Sequence, residues 1–162
     1  MLRTSEITSL CKRQITFNSD ISNAVIALSS SKTSGPNIEE VVLYDAVAVK
    51  ALHRAVAAIH LEDRVYRKAA NKFGEDLRWL CAKIGFEHPR LMPYSLRRGG
   101  ATWHMHEHGS LAQTALLGRW KHENTAKIYI HGAAAELATW SLDSKASKIL
   151  KQGETAFVRA FG

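Results

Sequence analysis

Pro93-Tyr94-Ser95-Leu96-Arg97-Arg98-Gly99-Gly100-Ala101-Thr102 is the stretch on which the reading of this chain turns, together with Leu117-Gly118-Arg119-Trp120 and Tyr129. Pro93 and Ser95 suit a helix start, because a first-turn proline gives up an N–H that no helical carbonyl needs. The helix they open is predicted over Tyr94 to Glu107, with Gly109 closing it. Gly99 and Gly100 weaken it by up to about 1 kcal/mol each relative to alanine. Small residues there also let another backbone approach. Ser110-x-x-Gln113 has the form of a capping box for a following helix, Leu111 to Leu117.

The ordered set resembles the catalytic core of tyrosine recombinases, the phage-integrase family. That family has a His-x-x-Arg box at a helix start, then a Leu-Gly element with His or Trp, then a tyrosine that attacks DNA. Here the box reads Tyr94-x-x-Arg97, the His/Trp position falls on Trp120, and Tyr129 follows nine residues later. Leu2-Arg3-Thr4-Ser5-Glu6-Ile7 resembles the phrase that carries the family's first catalytic arginine. The resemblance implies that Arg3 and Arg97 clamp the scissile phosphate and that Glu6 supports Arg3. It further implies that Tyr129 is the nucleophile, with Tyr94 and Trp120 completing the pocket. The chemistry suits those residue types. A guanidinium fork matches two phosphate oxygens at once, and paired arginines stabilise charge that develops in the transition state. A phenol, with a reference pKa of about 10, needs positioning and nearby positive charge to attack near neutral pH.

The main departure is Tyr94, which stands where the family has histidine; a phenol can donate to a phosphate oxygen but is a poor base. His122, two residues past Trp120, is the imidazole that could stand in. Thr102, Arg119 and Lys121 carry no assigned role. His104, His106 and His108 do not make a metal site, because i and i+2 point to different faces and only His104 and His108 share one. No metal or cofactor is expected.

Between Gln14 and Leu43 the pattern changes to strand-length runs. These are Ile15-Thr16-Phe17, Ala24 to Leu28, and Ile38 to Leu43, with turn residues Asn18-Ser19-Asp20 and a Ser-rich loop from Ser29 to Asn37. They predict a small three-stranded antiparallel sheet over about residues 14–44. The resemblance puts a catalytic lysine on the second turn of that sheet, which makes Lys32 the candidate general acid; an exposed loop lysine is the plainer alternative. Asp45 is a predicted N-cap for a helix from Ala46 to about Ile59. A longer helix is predicted from about Tyr66 to Ile84, ended by Gly85, with His88-Pro89 and Pro93 forcing extended backbone after it. Ala133 to Leu150 reads as a last helix, followed by a tail with Phe157, Val158 and Phe161. In the family such a segment packs on a neighbouring protomer; packing on its own core is the other possibility.

The predicted fold class is therefore α+β and mainly helical: sheet over 14–44, helical core over about 45–130, helix and tail over 133–162. The chain has 162 residues, 46% of them hydrophobic, enough to bury a core as one domain. Its formal charge of +7 suits a polyanion. Cys11 and Cys81, both in helix-like contexts, read as reduced core thiols of an intracellular protein. No apolar run reaches membrane-spanning length. The sequence opens two residues before Arg3, so the resemblance covers the family's later part and its separate N-terminal core-binding domain is expected to be absent. The function so implied is site-specific cutting and rejoining of duplex DNA through a 3′-phosphotyrosyl intermediate. The expected partners are DNA and further copies of the chain, as a tetramer on DNA, and the expected location is intracellular and DNA-associated (nuclear in a eukaryote). The alternatives are an inactive DNA-binding remnant and a type IB topoisomerase-like enzyme.

Overall fold

Three short apolar runs pair into one antiparallel sheet of order β1-β2-β3, with β1 at Ile15–Phe17, β2 at Ala24–Leu28 and β3 at Glu39–Leu43. The computed structural model describes residues 1–28, 39–83, 91–130, 132 and 142–162. Among them the chain is mainly helical, and they cluster into two compact units. One comprises Ser5–Ala70 and Lys151–Gly162; the other comprises Met1–Thr4 and Asn71–Leu150.

In the sheet unit, Ala24, Ile26 and Leu28 of β2 are buried and alternate with partly exposed residues, as a period of two requires. Ile26 pairs with Ile15 on one side and Val41 on the other. Helix α2, Ala46–Val56, begins as predicted: the Asp45 carboxylate accepts the Ala48 N–H at 2.9 Å. Val49 and Val56, two turns apart on its inner face, are fully buried. Helix α1, Thr4–Ser9, leads into a 3-10 turn at Lys12–Gln14.

The predicted helix from Tyr66 is shorter than the apolar spacing suggested. Helix α3 spans Lys72–Lys83. Residues 61–65, which precede the predicted helix, pair with the segment before β1. Lys12 N–H donates to Asp63 O, Arg13 N–H to Leu61 O, and Val65 N–H to Leu10 O, and Cys11 bridges Arg64. Cys11 is correspondingly extended rather than helical, and half-buried. Cys81 lies half-buried in α3, where burial pushes its thiol pKa up. Lys32 and its loop, Gly85, and His88-Pro89 lie outside the described residues.

In the helical unit, α4 spans Pro93–His108 with proline in its first turn, and the Ser95 hydroxyl accepts the Met92 N–H at 3.3 Å. It ends at Gly109, which is left-handed at φ 63°. Helix α5, Leu111–Gly118, is capped by Ser110, whose hydroxyl accepts the Gln113 N–H at 3.2 Å. Helix α6 spans Glu123–Lys127. The last helix among the described residues, α7, runs Ser144–Phe161 and passes at Lys151 into the sheet unit; its start overlaps the expected helix, and the supposed tail residues Phe157, Val158 and Phe161 are helical. The expected span 133–141 lies outside the described residues. Among the described residues of this unit, the buried apolar ones are Ala101, Ala115, Ala126 and Ala146. Beside them are buried Arg97, Thr102, His104 and Thr114. Small buried side chains supply little apolar area each, so the polar contacts among them add to the cohesion. Among the described residues, no helix is long and apolar enough to cross a membrane.

Candidate functional site

Arg97 lies on α4 one turn past the N-terminus of the helix and is only 5% exposed. Its guanidinium reaches two main-chain carbonyls, Met1 O at 2.7 Å and Gly118 O. Its Cζ stands 4.9 Å from the centre of the Trp120 ring, close enough for a cation–π contact. Trp120 in turn lies 4.5 Å from the ring of Tyr129, and Tyr129 lies 5.5 Å from Tyr94. Four of the residues singled out from the sequence thus form one continuous chain: Arg97, Trp120, Tyr129 and Tyr94.

The Leu-Gly-Arg-Trp element makes this possible through backbone geometry. Arg119 is left-handed, at φ 55° and ψ 44°. Its N–H donates to Leu116 O and the Trp120 N–H donates to Ala115 O, both at 2.9 Å. That pair of bonds is a Schellman ending, in which the left-handed position usually holds glycine. The reversal swings Trp120 back beneath α5. A Cβ at Gly118 would fall on the six-membered ring of Trp120, so only glycine fits there. Arg119 also turns inward, with Nε and Nη1 shielded from solvent.

Tyr129 follows α6, and its carbonyl accepts the Thr102 hydroxyl of α4 at 3.3 Å. Burial, then the neighbouring Tyr129 phenol, push the Tyr94 pKa up against the opposing pull of Arg98 and Arg97. Tyr94 therefore stays protonated at neutral pH and acts as a donor. A second polar link joins α4 to α5. His104 Nδ1 meets Thr114 Oγ1 at 2.8 Å, and Thr114 donates to Ser110 O at 2.8 Å. With the threonine proton so used, Nδ1 carries the proton of the His104–Thr114 bond. Burial, then the positive charge His108 would carry, lowers the His104 pKa. The rings of His104 and His108 lie 4.5 Å apart, and no group of three or more metal-ligating residues occurs among the described residues.

The other sequence candidates are placed as follows. Arg3 is half-buried just before α1, two residues from the Met1 carbonyl that Arg97 binds, and belongs to the helical unit. Glu6 lies in the first turn of α1, in the sheet unit. Lys32 is outside the described residues. His122 is exposed, extended, and immediately precedes α6. Thr102, His104, Thr114 and Met1 are contributors that sequence reasoning missed. Arg119, flanked by Gly118 and Trp120, is the one whose context could have drawn notice. No protein-family model matches this chain, and no curated protein matches it.

Proposed function

We propose that this chain breaks and rejoins duplex DNA through Tyr129. The phenolic oxygen attacks the scissile phosphorus, a 3′-phosphotyrosyl bond forms, and the bond to the 5′ oxygen breaks. Lys32 gives that leaving oxygen its proton. Arg3 and Arg97 neutralise the phosphate, Glu6 orients Arg3, and Tyr94 and Trp120 hold the nucleophile. His122 takes the phenolic proton that Tyr129 gives up as the new bond forms. Rejoining reverses the step, so the phosphotyrosyl link conserves the bond energy and no ATP is needed. The observation that carries this reading is the stacked chain from Arg97 through Trp120 to Tyr129, because it puts a fixed cation behind the aromatic that holds the nucleophile. The exposed Leu96, Trp103 and Leu116 support assembly with further copies on DNA.

A second reading, a DNA-binding remnant without chemistry, is favoured by one observation. Arg97 is buried, and two of its five N–H donors are committed to main-chain carbonyls. The two readings separate in a capture assay with nicked duplexes of randomised sequence. SDS-resistant adducts that vanish with Tyr129→Phe support strand breakage. Salt-sensitive binding without adducts supports the remnant. Neither binding nor adducts refutes both.

A further inference from the structure

The sheet unit carries a basic cavity that the proposed chemistry does not use. Lys50, His53 and Arg54 stand at i, i+3 and i+4 on α2, hence on one face. They line an open cavity of about 270 Å³ whose walls are completed by Ile21 and by the last turn of α7. Among the described residues, no Asp or Glu side chain lines it. His53 is held by an edge-on contact with Phe17, ring centres 5.0 Å apart.

Two features make this more than a solvated helix face. Ile21 is left-handed at φ 55°, a conformation that a β-branched residue adopts only under constraint, and backbone strain gathers at binding sites. The two cations already hold acceptors. Lys50 Nζ donates to Gly162 O at 3.1 Å, and Arg54 Nη1 donates to Ala160 O at 3.3 Å. The Arg54 guanidinium also lies 5.5 Å from the Phe161 ring. The Ala160 carbonyl is an uncharged acceptor, whereas a phosphate oxygen carries a charge that pairs with a guanidinium or an ammonium.

We propose that Lys50, His53 and Arg54 form a docking site for the phosphodiester backbone of duplex DNA, and that the last turn of α7 occupies it until DNA arrives. The proposal rests on the DNA reading above but not on its chemistry. One helical turn separates Lys50 from Arg54, about 6 Å along the axis, so the pair suits successive phosphates of a strand better than one enclosed ion.

The test is the salt dependence of duplex binding, measured by anisotropy on Tyr129→Phe protein. Each phosphate contact contributes about 0.9 to the slope of log K against log salt. Lys50→Ala with Arg54→Ala is expected to lower that slope by about 1.8. Phe161→Ala, which loosens the hold of α7 on Arg54, is expected to raise affinity severalfold. An unchanged slope with lost helix content by circular dichroism overturns the proposal, since the two cations would then only cap α7. Anionic vesicles that compete as well as unlabelled duplex overturn the nucleic-acid assignment. Adduct formation by the Tyr129 protein separates the two ideas. Adducts with an unchanged slope leave strand breakage standing and this site refuted; a lowered slope without adducts does the reverse.

Discussion

Gly118→Ala is the sharpest probe of how the site is built. The added methyl would land on the Trp120 ring, so the indole must leave its place between Arg97 and Tyr129. Overpacking of this kind costs about 1–3 kcal/mol. The displaced indole forfeits an aromatic pair of about 0.5–1.5 kcal/mol and a buried cation–π contact of up to about 2 kcal/mol. Alanine returns up to about 1 kcal/mol of helix propensity. The expected net loss is about 2–4 kcal/mol, read as a lowered urea midpoint by circular dichroism. A double-mutant cycle isolates the cause. With Trp120 already replaced by alanine, the same Gly118→Ala change should be neutral or slightly stabilising. An equal loss in both backgrounds would refute the reasoning, because the damage would then come from the backbone of α5 and not from the indole.

Three further outcomes follow from the same contacts. Arg97→Lys should destabilise the chain by about 2–3 kcal/mol in urea unfolding, since a point-like ammonium cannot serve both the Met1 and Gly118 carbonyls. Wild-type stability would show that the fork is not structural. His104 has a folded pKa below its ordinary value, so the unfolded chain binds the proton more readily. Its contribution is fully present above about pH 6.5 and is lost as pH falls through the lowered folded value. His104→Asn should flatten the stability profile in that window, which urea midpoints between pH 7 and 5 would show. Ile21→Asn should stabilise the sheet unit by about 1 kcal/mol, since asparagine tolerates the left-handed conformation that isoleucine strains to reach. A loss would mean that Ile21 contributes more by packing than its backbone costs.

The sequence by itself determined what depends on near neighbours. Strand-length runs bounded by turn residues placed β1 and β2 to the residue and β3 over the described part of its predicted span. Asp45, Ser110 and Gly109 marked helix ends through bonds spanning no more than four residues. Motif order selected Tyr94, Arg97, Trp120 and Tyr129, which the fold brings together. Tertiary structure alone decided the rest. Residues 66–71 read as helix by spacing, yet the neighbouring segment 61–65 is bonded to residues 10–13, and α3 starts only at Lys72. Motif order made Arg97 a candidate phosphate ligand, but its bond to the Met1 carbonyl crosses 96 positions, a distance over which no periodicity carries information. The buried His104–Thr114 link and the Thr102 bond to Tyr129 were equally invisible, because a polar side chain in a helix looks the same whether it meets water or a partner. Local rules act within a turn or a pleat; the choice among distant partners is made only when the chain excludes water and each buried donor must find an acceptor.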